Sequence, residues 1–173
     1  MLAESRLRAL RKEDADSQDS EVVRLFQREL RLALREYGFS SLPVEEVTIS
    51  ERTLLPEHGG FELSFDINHG LSASDTIRAK WAYYTALATL SASRPAAKSL
   101  GTLIMDEPRQ QEAARTSVSA LYRELSEVGR HQQVIVASSA DTEDLDTSLQ
   151  GLEVTRIKAT SGHVLEAGTP HDD

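Results

Sequence analysis

The chain has 173 residues and a formal charge of −9, which gives length for one domain with its own core but excludes a global positive field for nucleic acid. It has no cysteine, which excludes disulfides and thiolate metal sites. No stretch reaches the roughly 18–20 apolar residues of a spanning helix, and MLAESRLRALRKED lacks the apolar core of a signal peptide, so a soluble cytoplasmic protein with no membrane partner is expected.

Residues 1–12 are basic and helix-prone, and EDADSQDSE (13–21) reads as a polar break. In residues 21–37, Val22, Phe26, Leu30, Ala33 and Tyr37 recur at spacings of 4, 4, 3 and 4, which predicts a helix with one apolar stripe. Gly38 supplies the stop, because glycine accepts the left-handed conformation of helix ends. VEEVTIS (44–50) and FELSFDI (61–67) predict a β-hairpin around a PEHGG turn, with Phe61, Leu63, Phe65 and Ile67 on one buried face. Residues 70–93 predict a helix opened by the capping pattern of Ser72 and Asp75, with Ile77, Trp81, Tyr84 and Ala88 on one side.

After a loop at 92–99, LGTLIMDE (100–107) reads as a strand buried on both faces. Residues 110–130 predict a strongly amphipathic helix through Ala114, Val118, Leu121, Leu125 and Val128, and QVIVASS (133–139) a second buried strand. DTEDLDTSL (141–149) is a short acidic helix or turn. VTRIKAT (154–160) and HVLEA (163–167) predict a closing hairpin, followed by a disordered tail over 168–173. The fold class is therefore α/β, with a mostly parallel sheet flanked by helices and a strand–helix–strand crossover at its centre.

Chemistry concentrates at two places. Asp106 and Glu107 end an apolar strand, where open α/β sheets bind ligands. Adjacent strand-end residues point in different directions, so one carboxylate can hold a hydrated magnesium ion while the next faces an attacking water. LSASD (71–75) opens a helix, and a capped helix start offers free amides and a positive dipole end to an anion. Elsewhere the signals are bland. The five histidines (58, 69, 131, 163 and 171) have no metal spacing, HGG at 58–60 reads as a turn, and the cations of residues 6–12 as a solvated helix face.

The order of these motifs resembles the C-terminal lobe of ABC-type ATPase heads of the SMC-like class, the chromosome-maintenance and double-strand-break-repair ATPases with coiled-coil arms. LSASDTIRAKWAYYTAL is similar to the signature motif and its helix, LGTLIMDEP to the Walker B strand, and QVIVASS to the strand that follows. The resemblance covers about residues 40–167 and implies an arm or coiled-coil end over 1–38 and an ATPase lobe over 39–167. It implies ATP and Mg2+ as cofactors. Asp106 would organise the metal through water, and Glu107 would be the general base. Ser72, Ala73 and Ser74 would contact the γ-phosphate of a nucleotide held by a second head, and Ser139 occupies the switch position.

No G-x-x-x-x-G-K-S/T phosphate loop occurs in the chain. The implied partners are therefore an N-terminal lobe that carries that loop (Walker A), on a separate chain or in a longer protein, and a second head, with DNA as the implied target. Ala73 and Ser74 replace the signature glycines, Ser139 the switch histidine, and Ala113 sits near the place of the D-loop aspartate. These departures favour binding over efficient hydrolysis. The alternative is a non-catalytic regulatory or interaction module that keeps the lobe's shape.

Overall fold

The computed structural model describes residues 2–63 (through residue 18 the backbone alone), 70–94, 101–108 and 114–157. The chain opens with one continuous helix, α1 (Leu2–Glu36). The break expected at 13–21 is absent: the segment holds neither glycine nor proline, and each polar residue costs a helix at most about 0.7 kcal/mol against alanine. Along α1, Phe26, Leu30, Ala33 and Tyr37 are buried, as their spacing predicts, and Val22 is half-buried. Gly38 ends the helix at φ +73°. Its amide donates to Arg35 O at 3.0 Å and the Phe39 amide to Leu34 O at 3.0 Å, the paired closure that a left-handed residue permits.

A single 3-10 turn (Val44–Glu46) precedes β1 (Thr48–Ile49), β2 (Pro56–His58) and β3 (Phe61–Glu62), which form an antiparallel meander in that order. The expected hairpin thus has a third, middle strand. The turn is only Gly59–Gly60, with φ +59° and +82°, the signs that a two-residue hairpin turn demands. Leu63 is buried, but Phe61 at the tip is 80% exposed, so the two do not share a buried face. Phe65 and Ile67 lie outside the described residues.

Helix α2 (Ala73–Ser93) packs along α1. Tyr37 meets Trp81 edge-on at a centroid distance of 5.9 Å, and Phe26 meets Tyr83 at 5.3 Å. Ile77, Trp81 and Ala88 are buried as predicted, whereas Tyr84 is 47% exposed. Then come β4 (Thr102–Asp106), α3 (Arg115–Gly129) and β5 (Gln133–Ala137). β4 and β5 pair in parallel, with Ile104 opposite Ile135 and Asp106 opposite Ala137. Val118, Leu121, Leu125 and Val128 are buried on α3, while Ala114 is exposed just before it; residues 109–113 lie outside the described set.

The expectation of two fully buried strands fails. Leu103 and Met105 face the helices, but Ile104 is 66% exposed and Ile135 44%. Among the described residues the parallel sheet has two strands and one covered face. Helix α4 (Thr142–Ser148) follows, capped by Asp141, whose carboxylate accepts from the Asp144 amide at 2.8 Å. Residues 154–157 form no strand; the remainder of the predicted closing hairpin and tail lies outside the described residues. The described architecture is α/β, with four α-helices, a small antiparallel sheet and a parallel pair. No helix among the described residues is long and apolar enough to cross a membrane.

Candidate functional site

The apolar run Leu103–Ile104–Met105 carries the chain out along β4 to its carboxyl end, where Asp106 is exposed and Glu107 half-buried. The Glu107 amide donates to Ala137 O at 2.9 Å, extending the pairing one residue past the strand. Glu107 itself has φ +44°. A non-glycine residue in this region carries a cost of about 1–2 kcal/mol, because its Cβ crowds the carbonyl that follows. Pro108, buried behind it, fixes the exit of the chain.

A cleft of about 280 Å3 runs between this strand end and α2. Asp106 and Glu107 line one side; Ile77, Lys80, Trp81 and Tyr84 line the other. The two acids therefore stand at an open rim, with a buried indole and an exposed ammonium across from them. Sequence reading placed the acids correctly but missed Lys80 as their neighbour. Only the packing of α2 against β4 reveals that proximity.

The opening turn of α2 is held from three directions. Ser72 is extended at φ −63°, ψ 154°, and its Oγ accepts from the Asp75 amide at 3.1 Å, the predicted cap. The Asp75 carboxylate does not turn back to the cap, as the capping-box pattern suggests. It reaches across to the turn after α1, where Oδ2 accepts from the amides of Ser40 (3.1 Å) and Ser41 (2.8 Å) and from Ser41 Oγ (2.7 Å). The Ser72 amide in turn donates to Ser41 Oγ at 3.1 Å. Arg78 Nη1 donates to Asp75 Oδ1 at 2.7 Å, and Arg78 Nε to Ser117 Oγ on α3 at 3.3 Å. Asp75 thus ties the start of α2 to the end of α1, and Arg78 carries the link on to the start of α3. Burial pushes the Asp75 carboxyl up. The donors from Ser41, Arg78 and the two amides outweigh it and hold the group below the usual carboxylate range.

With Ser72 and Asp75 occupied, the amides of Ala73 and Ser74 find no acceptor among the described residues. Ala73 is exposed and Ser74 half-buried, with Ser74 Oγ 3.2 Å from Ser72 Oγ. Ser74 lies three residues before Ile77, roughly 5 Å along the helix axis. Ser139 is exposed two residues beyond the end of β5, whose last residue pairs with Asp106. Asp106, Glu107 and Ser139 therefore share the carboxyl edge of the parallel pair, and Ser72–Ser74 open the helix that walls their cleft.

No protein-family model matches the chain, and no curated protein matches it.

The donor set bears on magnesium. Among the described residues no group of three or more His, Asp or Glu side chains converges on one point. Magnesium, however, binds through one or two carboxylates with waters and substrate phosphates, not through an all-protein cage. Asp106 and Glu107, adjacent at an open rim, fit that mode and supply too few ligands for a metal without phosphate.

Proposed function

We propose that this chain is the C-terminal lobe of a composite SMC-like ATPase head, which binds and hydrolyses ATP only when a phosphate-loop lobe and a second head complete its site. The supporting observation is the conjunction at β4: two carboxylates at the open end of a parallel strand, on a sheet whose outer face presents the exposed apolar residues Ile104 and Ile135. Parallel strands are ordinarily covered on both faces. The exposed cross-strand pair Ile104–Ile135 thus calls for a further layer. A lobe that covers this face would bring its phosphate loop to the same edge as Asp106 and Glu107.

In that complex Mg2+ would supply charge neutralisation on the phosphates, and Asp106 would hold its water shell. Glu107 would orient the attacking water and accept its proton. The Ala73 and Ser74 amides of this chain would donate to the γ-phosphate in the other head, so nucleotide binding would draw two heads together. DNA handling follows from the resemblance alone.

Turnover by the isolated chain should be absent, and should emerge when a phosphate-loop lobe is co-purified with it. In the complex, Glu107→Gln should abolish turnover while ATP holds the heads paired, measured by light scattering on a sizing column. Robust hydrolysis by the chain alone, or turnover untouched by Glu107→Gln, overturns the reading.

A further inference from the structure

Toward the C-terminal end of α2 lies a groove that the proposed nucleotide site does not use. Helices α1 and α3 both pack on α2, leaving between them a hollow of about 570 Å3. We infer that this groove seats a basic amphipathic helix of a partner protein. Ala33 on α1 and Ala120 on α3 line it, and such small side chains let a fourth helix approach to the ordinary interaxial distance of about 8–10 Å. Leu32 stands on its wall, an apolar side chain 47% exposed.

The rim gives the partner its charge. Glu29 and Glu36 on α1 face Glu124 and Glu127 on α3, against the cations Arg123 and His131. Glu29, half-buried, pairs with the exposed Arg28 at 2.6 Å, and Glu127 pairs with Arg130 at 3.4 Å at the surface. Exposed pairs of this kind contribute about 0–1 kcal/mol and yield readily to a better partner. Glu124 lies deepest. Its carboxylate accepts from the Tyr37 hydroxyl, which sits 3.0 Å from Thr85 Oγ1. Burial holds its carboxyl above the usual range; the bonds from Tyr37 and Thr85 oppose this, and the charges of Glu29 and Glu36 add to it. The acids thus repel one another across an apolar floor. A helix with lysine or arginine beside a leucine stripe relieves that repulsion and covers Leu32 in one step, the helix-in-groove mode of recognition.

The full chain should bind a synthetic helical peptide with a Leu/Ala stripe flanked by lysines, read by fluorescence anisotropy, and should ignore the same stripe flanked by glutamates. The triple variant Glu29→Gln/Glu36→Gln/Glu127→Gln should weaken binding about tenfold or more, as should high salt. Leu32→Ser should weaken it at unchanged thermal unfolding. The control removes equal charge elsewhere, as Glu143→Gln/Asp146→Asn/Glu153→Gln, and should leave affinity intact. Equal losses in the two triple variants would reduce the binding to nonspecific attraction and overturn the proposal. So would no binding, or a self-association of the chain that Leu32→Ser abolishes, since the occupant would then be a second copy.

Discussion

On the helical side of the molecule, Leu30, Leu34, Tyr37 and Leu121 are buried from every direction, and no buried side-chain polar atom among the described residues lacks a partner. On the sheet side, β4 and β5 present Ile104 and Ile135 to water, and Val154 and Ile157 add exposed apolar surface after α4. The same chain therefore buries a large core among its helices and, among the described residues, leaves the outer face of its parallel pair exposed. The core lies among the helices, and the chemistry-bearing acids stand at the end of the sheet. Under the proposed function, the completing lobe would meet the sheet side.

Truncating each side in turn should separate them most sharply. Leu121→Ala removes a fully buried side chain between α3 and its neighbours and should cost about 3 kcal/mol in urea unfolding. Ile104→Ala, equally apolar in sequence, should change stability by no more than about 0.5 kcal/mol, as at other surface positions. A large loss at Ile104 in the isolated chain would mean that the outer face is covered by the chain itself, and the contrast between the sides would collapse.

The polar groups of the helical side should respond to pH with opposite signs. Asp75→Ala removes a buried carboxylate that accepts from Ser40, Ser41 and Arg78, in the turn after α1 and on α2, and should cost about 2–4 kcal/mol at pH 7. Because the folded state holds Asp75 below its ordinary 3.8, its contribution is present above about pH 4 and is lost as pH falls through the lowered folded value. Glu124 is the reverse. Its carboxyl is raised above the ordinary 4.5, so its contribution is present in acid and is lost as pH rises through the raised value. Glu124→Gln should thus flatten the decline of stability from acid toward neutral pH by a smaller amount than Asp75→Ala costs. Thermal unfolding of the two variants between pH 3 and 7 measures both slopes. Parallel slopes would show that the two carboxylates do not hold opposite environments.

How much of this was legible in the sequence follows from the range of the interactions. The α1 stripe, the Gly38 closure, the Ser72 cap and the α3 stripe are fixed within a few residues, and each was readable from spacing and residue type. Strand β2 was not: PEH holds a proline and two polar residues, and only its pairing with both neighbours makes it a strand. The Asp75 network spans 34 and 35 residues to Ser41 and Ser40, so local pattern suggested only the nearer capping-box partner. Of the candidate site, the two acids were visible because an apolar run delivers them. The cleft was not, because Lys80 and Trp81 come to it from a different element. The error over strand burial has a physical source as well: parallel strands with continuous apolar runs are ordinarily buried on both faces, whereas here Ile104 and Ile135 stay exposed.

The finest test lies at Glu107, one of two non-glycine residues with positive φ among the described residues; the other is Leu54 at φ 59°. Both carry backbone strain, and Glu107 lines the cleft beside Asp106. Strain persists where surrounding contacts over-determine it, and here the bond from the Glu107 amide to Ala137 and the buried Pro108 hold the turn. Glycine at either position should relieve the left-handed penalty and return part of it as unfolded-state entropy, for a net gain of up to about 1 kcal/mol. At Leu54 that gain should come without any effect on the proposed complex. At Glu107 the isolated chain should become more stable while the completed head loses turnover. That opposition separates a strained position kept for its carboxylate from one that is merely tolerated. If Glu107→Gly destabilised the chain, the side chain would be contributing to the fold, and the strain would have no connection with catalysis.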